Sequence, residues 1–310
     1  MDFLSILGLG QTALELGLIT GLTVLALFLS YSMLNICDLS TDGCFTLGAA
    51  VGATVAAAGY PYLSIFAAMG AGIVSGLITA FLQTKMGIDS LLSGIIVNTG
   101  LYSINIAIMG SSQVNLNKAD TVFTKMNSLL AETAFSGQSK LVLILIAVVL
   151  VVLFLSVFLK TKLGLAIRAT GNNSAMVKSS SINPVFTIII GLCISNAFTG
   201  LSGCLMAQYN KSANIDIGSG IVTIALASLL IGRAFMGKGK LVFRIIGAVI
   251  GSFVFRLVYT IALRFNMPAS MLKLVSSVIV IIAIAGPYFK KQIPNIRRKF
   301  ASNKRGGEAK

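Results

Sequence analysis

The chain contains no histidine, and only nine of its 310 residues are acidic. The missing histidine removes the usual general base and the commonest metal ligand. The four cysteines, Cys37, Cys44, Cys193 and Cys204, have no metal-ligand spacing. They lie in or beside apolar segments and read as small packing residues, not disulfides. No G-x-x-x-x-G-K-[ST] run is present, so no phosphate loop is expected. Nor is there a nucleophile elbow, which leaves an intramembrane enzyme without candidate residues. Residues Met1–Leu9 lack a basic stretch of the kind that opens a cleavable signal. Charge itself is scarce, at 11% of residues. A soluble domain of this length needs far more to cover its surface.

What is present is apolar. Hydrophobic residues make up 56% of the chain, and mean hydropathy is +0.92. They come in blocks, and a bilayer core takes about 20 such residues per helix. Blocks run over 14–34, 44–58, 62–83, 90–109, 140–159, 186–208, 219–235, 241–262 and 269–287. Glycine is frequent within them, which lets membrane helices approach closely. The expected fold is all-α: a polytopic bundle of about nine (eight to ten) transmembrane helices over residues 1–288. Residues 1–13 suggest a short interfacial helix. A basic tail follows over 289–310.

The net charge of +15 is placed unevenly. Eight of the 24 basic residues fall in the last 21 positions, and most others sit in short loops. This is the positive-inside pattern of a membrane protein and not a nucleic-acid footprint; attraction of the tail to anionic lipid is sufficient. Lys160, Lys162, Arg168 and Lys178 mark the 160–184 loop as cytoplasmic. Arg233, Lys238, Lys240 and Arg244 do the same for 233–244, and Lys85 for 84–89. The nearly balanced 110–139 loop goes outside. Nine crossings then put the C-terminus in the cytoplasm and the N-terminus outside, in a cell membrane.

Two polar breaks resemble each other, NICDLSTDGCFTL (35–47) and NIDIGSGIVTIA (214–225). Small-residue runs follow in matching order, GAGIVSG (70–76) and GAVIGSF (247–253). Repeat halves at about 14–109 and 186–287 would be separated by an odd number of crossings, hence inverted, as in many transporters. The first break carries Asn35, Asp38, Ser40 and Asp42. Either it lines a pathway, or its carboxylates are hydrated helix caps. Asp216 in the second break has the same two readings. Asn98, Tyr102 and Asn105 are spaced by four and three, so they share one helical face. That stripe lines a path or bonds a neighbouring helix. Arg256 and Lys273, inside apolar blocks, are expected to snorkel to an interface. The central loop, TKLGLAIRATGNNSAMVK (161–178), predicts two short amphipathic helices around Gly171, the second capped by Asn172 or Asn173. It would dock a partner protein or lie on lipid.

GLAIRATGNNSA (164–175), then Ser181–Asn183 and GLSG (200–203), resembles the coupling region of ABC-importer permeases of the branched-chain amino acid and ribose type. DLSTDG (38–43) resembles a break of the same branch. DLSTDGCFTLG (38–48) with GLYSIN (100–105) is similar to permeases for tryptophan or tyrosine uptake. The resemblance implies a type II-like importer fold. It implies a homodimer of permease copies, cytoplasmic ABC ATPase subunits holding ATP and Mg, and an extracytoplasmic binding lipoprotein. No cofactor is then expected on this chain. Gly164, Arg168, Ala169, Gly171, Asn172 and Asn173 would lie in the coupling helix. The function implied is import of an amino acid, with a sugar or nucleoside as the alternative. An ion-coupled transporter would need a membrane carboxylate from among Asp38, Asp42, Asp89 and Asp216.

Overall fold

The computed structural model describes residues 3–129, 138–236 and 239–264, with isolated positions between 274 and 285. The expected last span and the basic tail, with Lys273, therefore fall outside the described residues, apart from those isolated positions. Apart from two short strands, the elements of the described residues are helices. α1 (Phe3–Leu27) continues directly into a π-helical turn, Phe28–Met33. No proline interrupts residues 3–33, so the expected separate N-terminal helix is simply the start of the first span. α2 (Thr41–Ala57), α3 (Pro61–Thr84) and α4 (Ser90–Met109) follow. Next come β1 (Gln113–Asn115), α5 (Val122–Leu129) and α6 (Ser139–Phe158). α7 (Lys162–Asn172) and α8 (Ser174–Ser179) precede α9 (Pro184–Asn210), β2 (Ser212–Asn214), α10 (Ile221–Met236) and α11 (Leu241–Arg264).

Helix limits follow from local chemistry. Pro61 and Pro184 occupy first turns, where the missing N–H costs nothing. Asp89 accepts from Leu91 N, and Asn183 from Val185 N, capping α4 and α9. Gly110 ends α4 in the left-handed conformation.

Among the described residues, six helices are long and apolar enough to cross a membrane: Gly10–Met33, Pro61–Thr84, Ser90–Met109, Ser139–Phe158, Pro184–Asn210 and Leu241–Ala262. Two more of the expected spans form helices, but α2 has 17 residues and α10 has 16. At 1.5 Å per residue each is about 25 Å long, short of a hydrocarbon core of about 30 Å. Both begin at a polar break inside the bundle.

α9 is the centre of the bundle, packed on α1, α2 and α3. Its fit to α2 depends on missing side chains. A Cβ on Gly203 would sit 2.0 Å from the Phe45 carbonyl oxygen, and one on Gly48 would sit 2.2 Å from that of Gly200. Backbone touches backbone there, the geometry that dispersion favours when lipid supplies no hydrophobic drive. The outward faces of α3, α4 and α6 expose Phe66, Ile96, Leu150 and their neighbours, as a lipid-facing surface does. At one end of the bundle β1 and β2 pair antiparallel, with Val114 opposite Ala213. α7 and α8 lie at the other end. All four cysteines are free.

Candidate functional site

The first break forms where the π turn runs out. Asn35 takes a left-handed backbone, φ 57°, and reverses the chain. Asp38 is then fully buried. Its Oδ1 accepts from the Ser40 amide at 2.9 Å and from the Ser40 hydroxyl. Its Oδ2 accepts from Asn196 Nδ2 at 2.9 Å. Asn196 is 12 residues into α9, about 18 Å along its axis, so this carboxylate sits near mid-depth. Thr79 of α3 donates to Ser40 Oγ. The lone pairs of Asp38 are thus committed to tying the break to α9, and the break to α3. Asp38 and Ser40 are both fully buried, and the partner on α9 was not anticipated from the sequence.

Asp42 does something different. It accepts from Gly220 N at 3.0 Å and Val222 N at 2.8 Å, capping the start of α10. A carboxylate at a helix N-terminus satisfies orphan amides and complements the dipole. The two breaks that resemble each other in sequence are therefore bonded face to face. Gly218 lies against the Asp42 carbonyl, where a Cβ would come within 2.2 Å.

Beside this junction opens a cavity of about 440 Å³, lined by Asp42, Thr46, Asn98, Tyr102, Asn105 and Asp216 among others. Five of the eight predicted path residues meet there. Asn35 is exposed and apart from it. The helical face predicted on α4 is real but divided. Asn105 is buried and donates to the Gly43 carbonyl at 3.2 Å, bonding α4 to α2. Its Oδ1 has no hydrogen-bond partner. Tyr102 is 53% exposed on the outer side. The stripe thus bonds a neighbouring helix through Asn105, while Asn98 and Tyr102 line the cavity. The lining is amides, hydroxyls, two carboxylates and one phenol, with no lysine or arginine.

Thr46, Thr99, Ser103 and Ser219 also line it and were not singled out from sequence. Thr46 was legible as the residue one turn after Asp42. Asn196 was missed altogether, although an amide in the middle of an apolar block requires a partner.

At the other end, α7 and α8 form the two short helices expected. Thr161 caps α7, accepting from Gly164 N at 3.3 Å, and Asn173 caps α8, accepting from Met176 N at 3.1 Å. Asn172, Asn173 and Met176 are exposed at the corner between them. Gly164 packs on the end of α6, and Gly171 packs on the end of the π turn. A Cβ on Gly171 would lie 2.0 Å from the Met33 carbonyl oxygen. Arg168 and Ala169 are half-buried on the same helix. α7 therefore touches the segment that leads directly into Asn35 and Asp38. The guanidinium of Arg256 lies 5.1 Å from the centre of the Tyr259 ring on the same helix. Arg256 packs beside Gly17 of α1, and its Nε has no hydrogen-bond partner. Among the described residues, no group of histidine, cysteine and carboxylates could hold a metal ion.

The family described as branched-chain amino acid transport system, permease component, matches residues 11–284. The chain belongs to that permease family. It is thus a multi-pass membrane permease subunit of an ABC transporter. This permease is 34% identical over 270 residues to the tyrosine transport system permease protein of Clostridioides difficile, covering 86% of this chain and 88% of the other. It is 24% identical over 246 residues to the galactofuranose transporter permease protein of Escherichia coli, covering 79% and 69%. It is 28% identical over 187 residues to the guanosine ABC transporter permease protein of Bacillus subtilis, covering 56% and 57%. No solved structure matches it significantly.

Proposed function

We propose that this permease imports an amino acid with an aromatic side chain, delivered by an extracytoplasmic binding lipoprotein and driven by separate ATPase subunits that hold the ATP and Mg. The cavity at the junction of the two breaks carries the reading. Asp216 offers an exposed carboxylate for an ammonium group. Asn98 and the hydroxyls around it offer bonds to a carboxylate, and Tyr102 offers a ring for an aromatic side chain to stack on. The relationship to the tyrosine permease supports the same substrate class.

The cavity opens on the exposed face of α4, so a second permease copy would complete the path across a homodimer axis. The basic end bearing α7 and α8 is the cytoplasmic one in this reading, as is the C-terminus, and the β1–β2 end faces outward. The ATPase grips the corner around Asn172 and Asn173. Closure of the ATPase pair moves α7, which bears on Met33 through Gly171. The π turn then shifts the break at Asp38 and the Asp42 cap on α10. α2 and α10, short helices meeting at mid-depth, are the elements whose rocking exposes the path alternately. The repeat halves, related by inversion, supply the pivots.

The amide- and hydroxyl-rich lining would also serve a sugar or nucleoside, as the names of the E. coli and B. subtilis relatives suggest for those proteins. Uptake into proteoliposomes holding the whole transporter decides between them. ATP-dependent accumulation of L-tyrosine, lost on Tyr102→Ala, is expected. Accumulation of galactose or guanosine with no amino-acid uptake would overturn the substrate.

A further inference from the structure

A second cavity, of about 510 Å³, lies at the β1–β2 end between α1, α5, α6 and α9, and shares no lining residue with the first. Glu15 forms its buried wall and is only 5% exposed. Gln11 Nε2 donates to one carboxylate oxygen at 3.1 Å, and the Tyr209 hydroxyl donates to the other at 2.7 Å. The ammonium of Lys140 stands 5.3 Å from the centre of the Tyr209 ring. Lys211 lines the same space. Among the described residues the one ion pair is Lys125 with Asp120, so Glu15, Lys140 and Lys211 are not neutralised by one another. Phe123 closes a wall edge-on to Tyr209, ring centres 5.9 Å apart.

A carboxylate held in an apolar helix with no salt-bridge partner among the described residues is costly, and it marks a ligand or ion pathway more often than a packing role. Arg256, a half-buried cation close to Tyr209, makes no salt bridge to Glu15. The Glu15 carboxylate faces an open cavity whose rim carries the opposite sign. A simple anion would be repelled by Glu15, and a simple cation by the two lysines. A molecule carrying both charges a few ångströms apart satisfies both sides, since a carboxylate oxygen can accept a further bond beside the one it has. We propose that this cavity is a second binding site, separate from the transport path, for a small zwitterion of the α-amino acid type. Its ammonium pairs with Glu15 and its carboxylate with Lys140 and Lys211. The ring of Tyr209 and Phe123 cover the apolar part.

The test is equilibrium binding of radiolabelled L-tyrosine to the full-length permease in lipid nanodiscs, without binding protein or nucleotide. A saturable component is expected that weakens about tenfold or more in Glu15→Gln and in Lys140→Met and is unchanged in Tyr102→Ala. Tyramine, which lacks the carboxylate, and 3-(4-hydroxyphenyl)propionate, which lacks the ammonium, should each compete about tenfold more weakly. No saturable component, or one indifferent to Lys140→Met, overturns the site. So does equal competition by either analogue. Lys140 is exposed, so its variant remains informative even if Glu15→Gln fails to fold. The transported substrate is read separately by uptake: import of a sugar would sink the substrate reading and leave this one standing.

Discussion

At the scale of single residues, the two carboxylates of the first break differ in burial, and that difference should be measurable. Asp38→Ala strands the Asn196 amide and the Ser40 hydroxyl away from water, at a cost of about 2–3 kcal/mol. Asp42→Ala removes a helix cap near a water-accessible cavity, at about 1 kcal/mol. Thermal melting of the solubilised permease, followed by a thiol dye on the buried Cys44 and Cys204, should show the larger fall for Asp38→Ala. Equal shifts would argue against the two roles. The sequence placed both carboxylates at a break and could go no further. What separates them is a partner 158 residues away in one case and a helix start 180 residues away in the other.

At the scale of elements, α7 was the most legible part of the chain. Its amphipathic pattern is local, as is the Asn173 cap of α8 that follows it, and both appear in the structure where the sequence put them; the Thr161 cap of α7 was not read. What α7 rests on was not legible. Gly171→Ala would push a methyl group into the Met33 carbonyl, and backbone cannot yield as a flexible side chain does. Membrane insertion should be normal, with uptake reduced at least tenfold and ATP hydrolysis no longer stimulated by substrate; the cost is that of overpacking, about 1–3 kcal/mol. Hydrolysis and uptake measured together in proteoliposomes check this, and full coupling in the variant would remove α7 from the drive chain. α2 and α10 were the least legible elements. Hydropathy reports that a block is apolar, not that its helix begins half-way across, because the depth of a start is fixed by the caps and neighbours it meets.

At the scale of the whole molecule, one exposed face stands out chemically. α4 presents Tyr102, Thr99 and Ser103 beside the cavity, whereas the outer face of α6 presents Leu150 and Leu153. The first face is proposed to meet a second copy and the second to meet lipid. Tyr102→Cys should therefore form a disulfide-linked dimer on mild oxidation in membranes, and Leu150→Cys should not. Crosslinking through Leu150→Cys alone, read on a non-reducing gel, would move the axis to α6.

Membrane residence, the uneven placement of basic residues and the two short helices of the central loop were determined by the sequence alone. Each is a property of a contiguous window: enough apolar residues to replace water with lipid, charges that resist crossing, a cap three residues before its amide. The scarcity of acidic residues made Asp38, Asp42 and Asp216 conspicuous, although Glu15, inside the first apolar span, was passed over. Tertiary structure decided what those carboxylates do. Glu15, Asp38 and Asp42 take their partners from helices far along the chain, and Asp216 joins them only because β1 and β2 fold its loop over the first break. The physical reason is that a buried polar group is satisfied by whatever packing brings within hydrogen-bond reach, and packing is a property of the whole bundle.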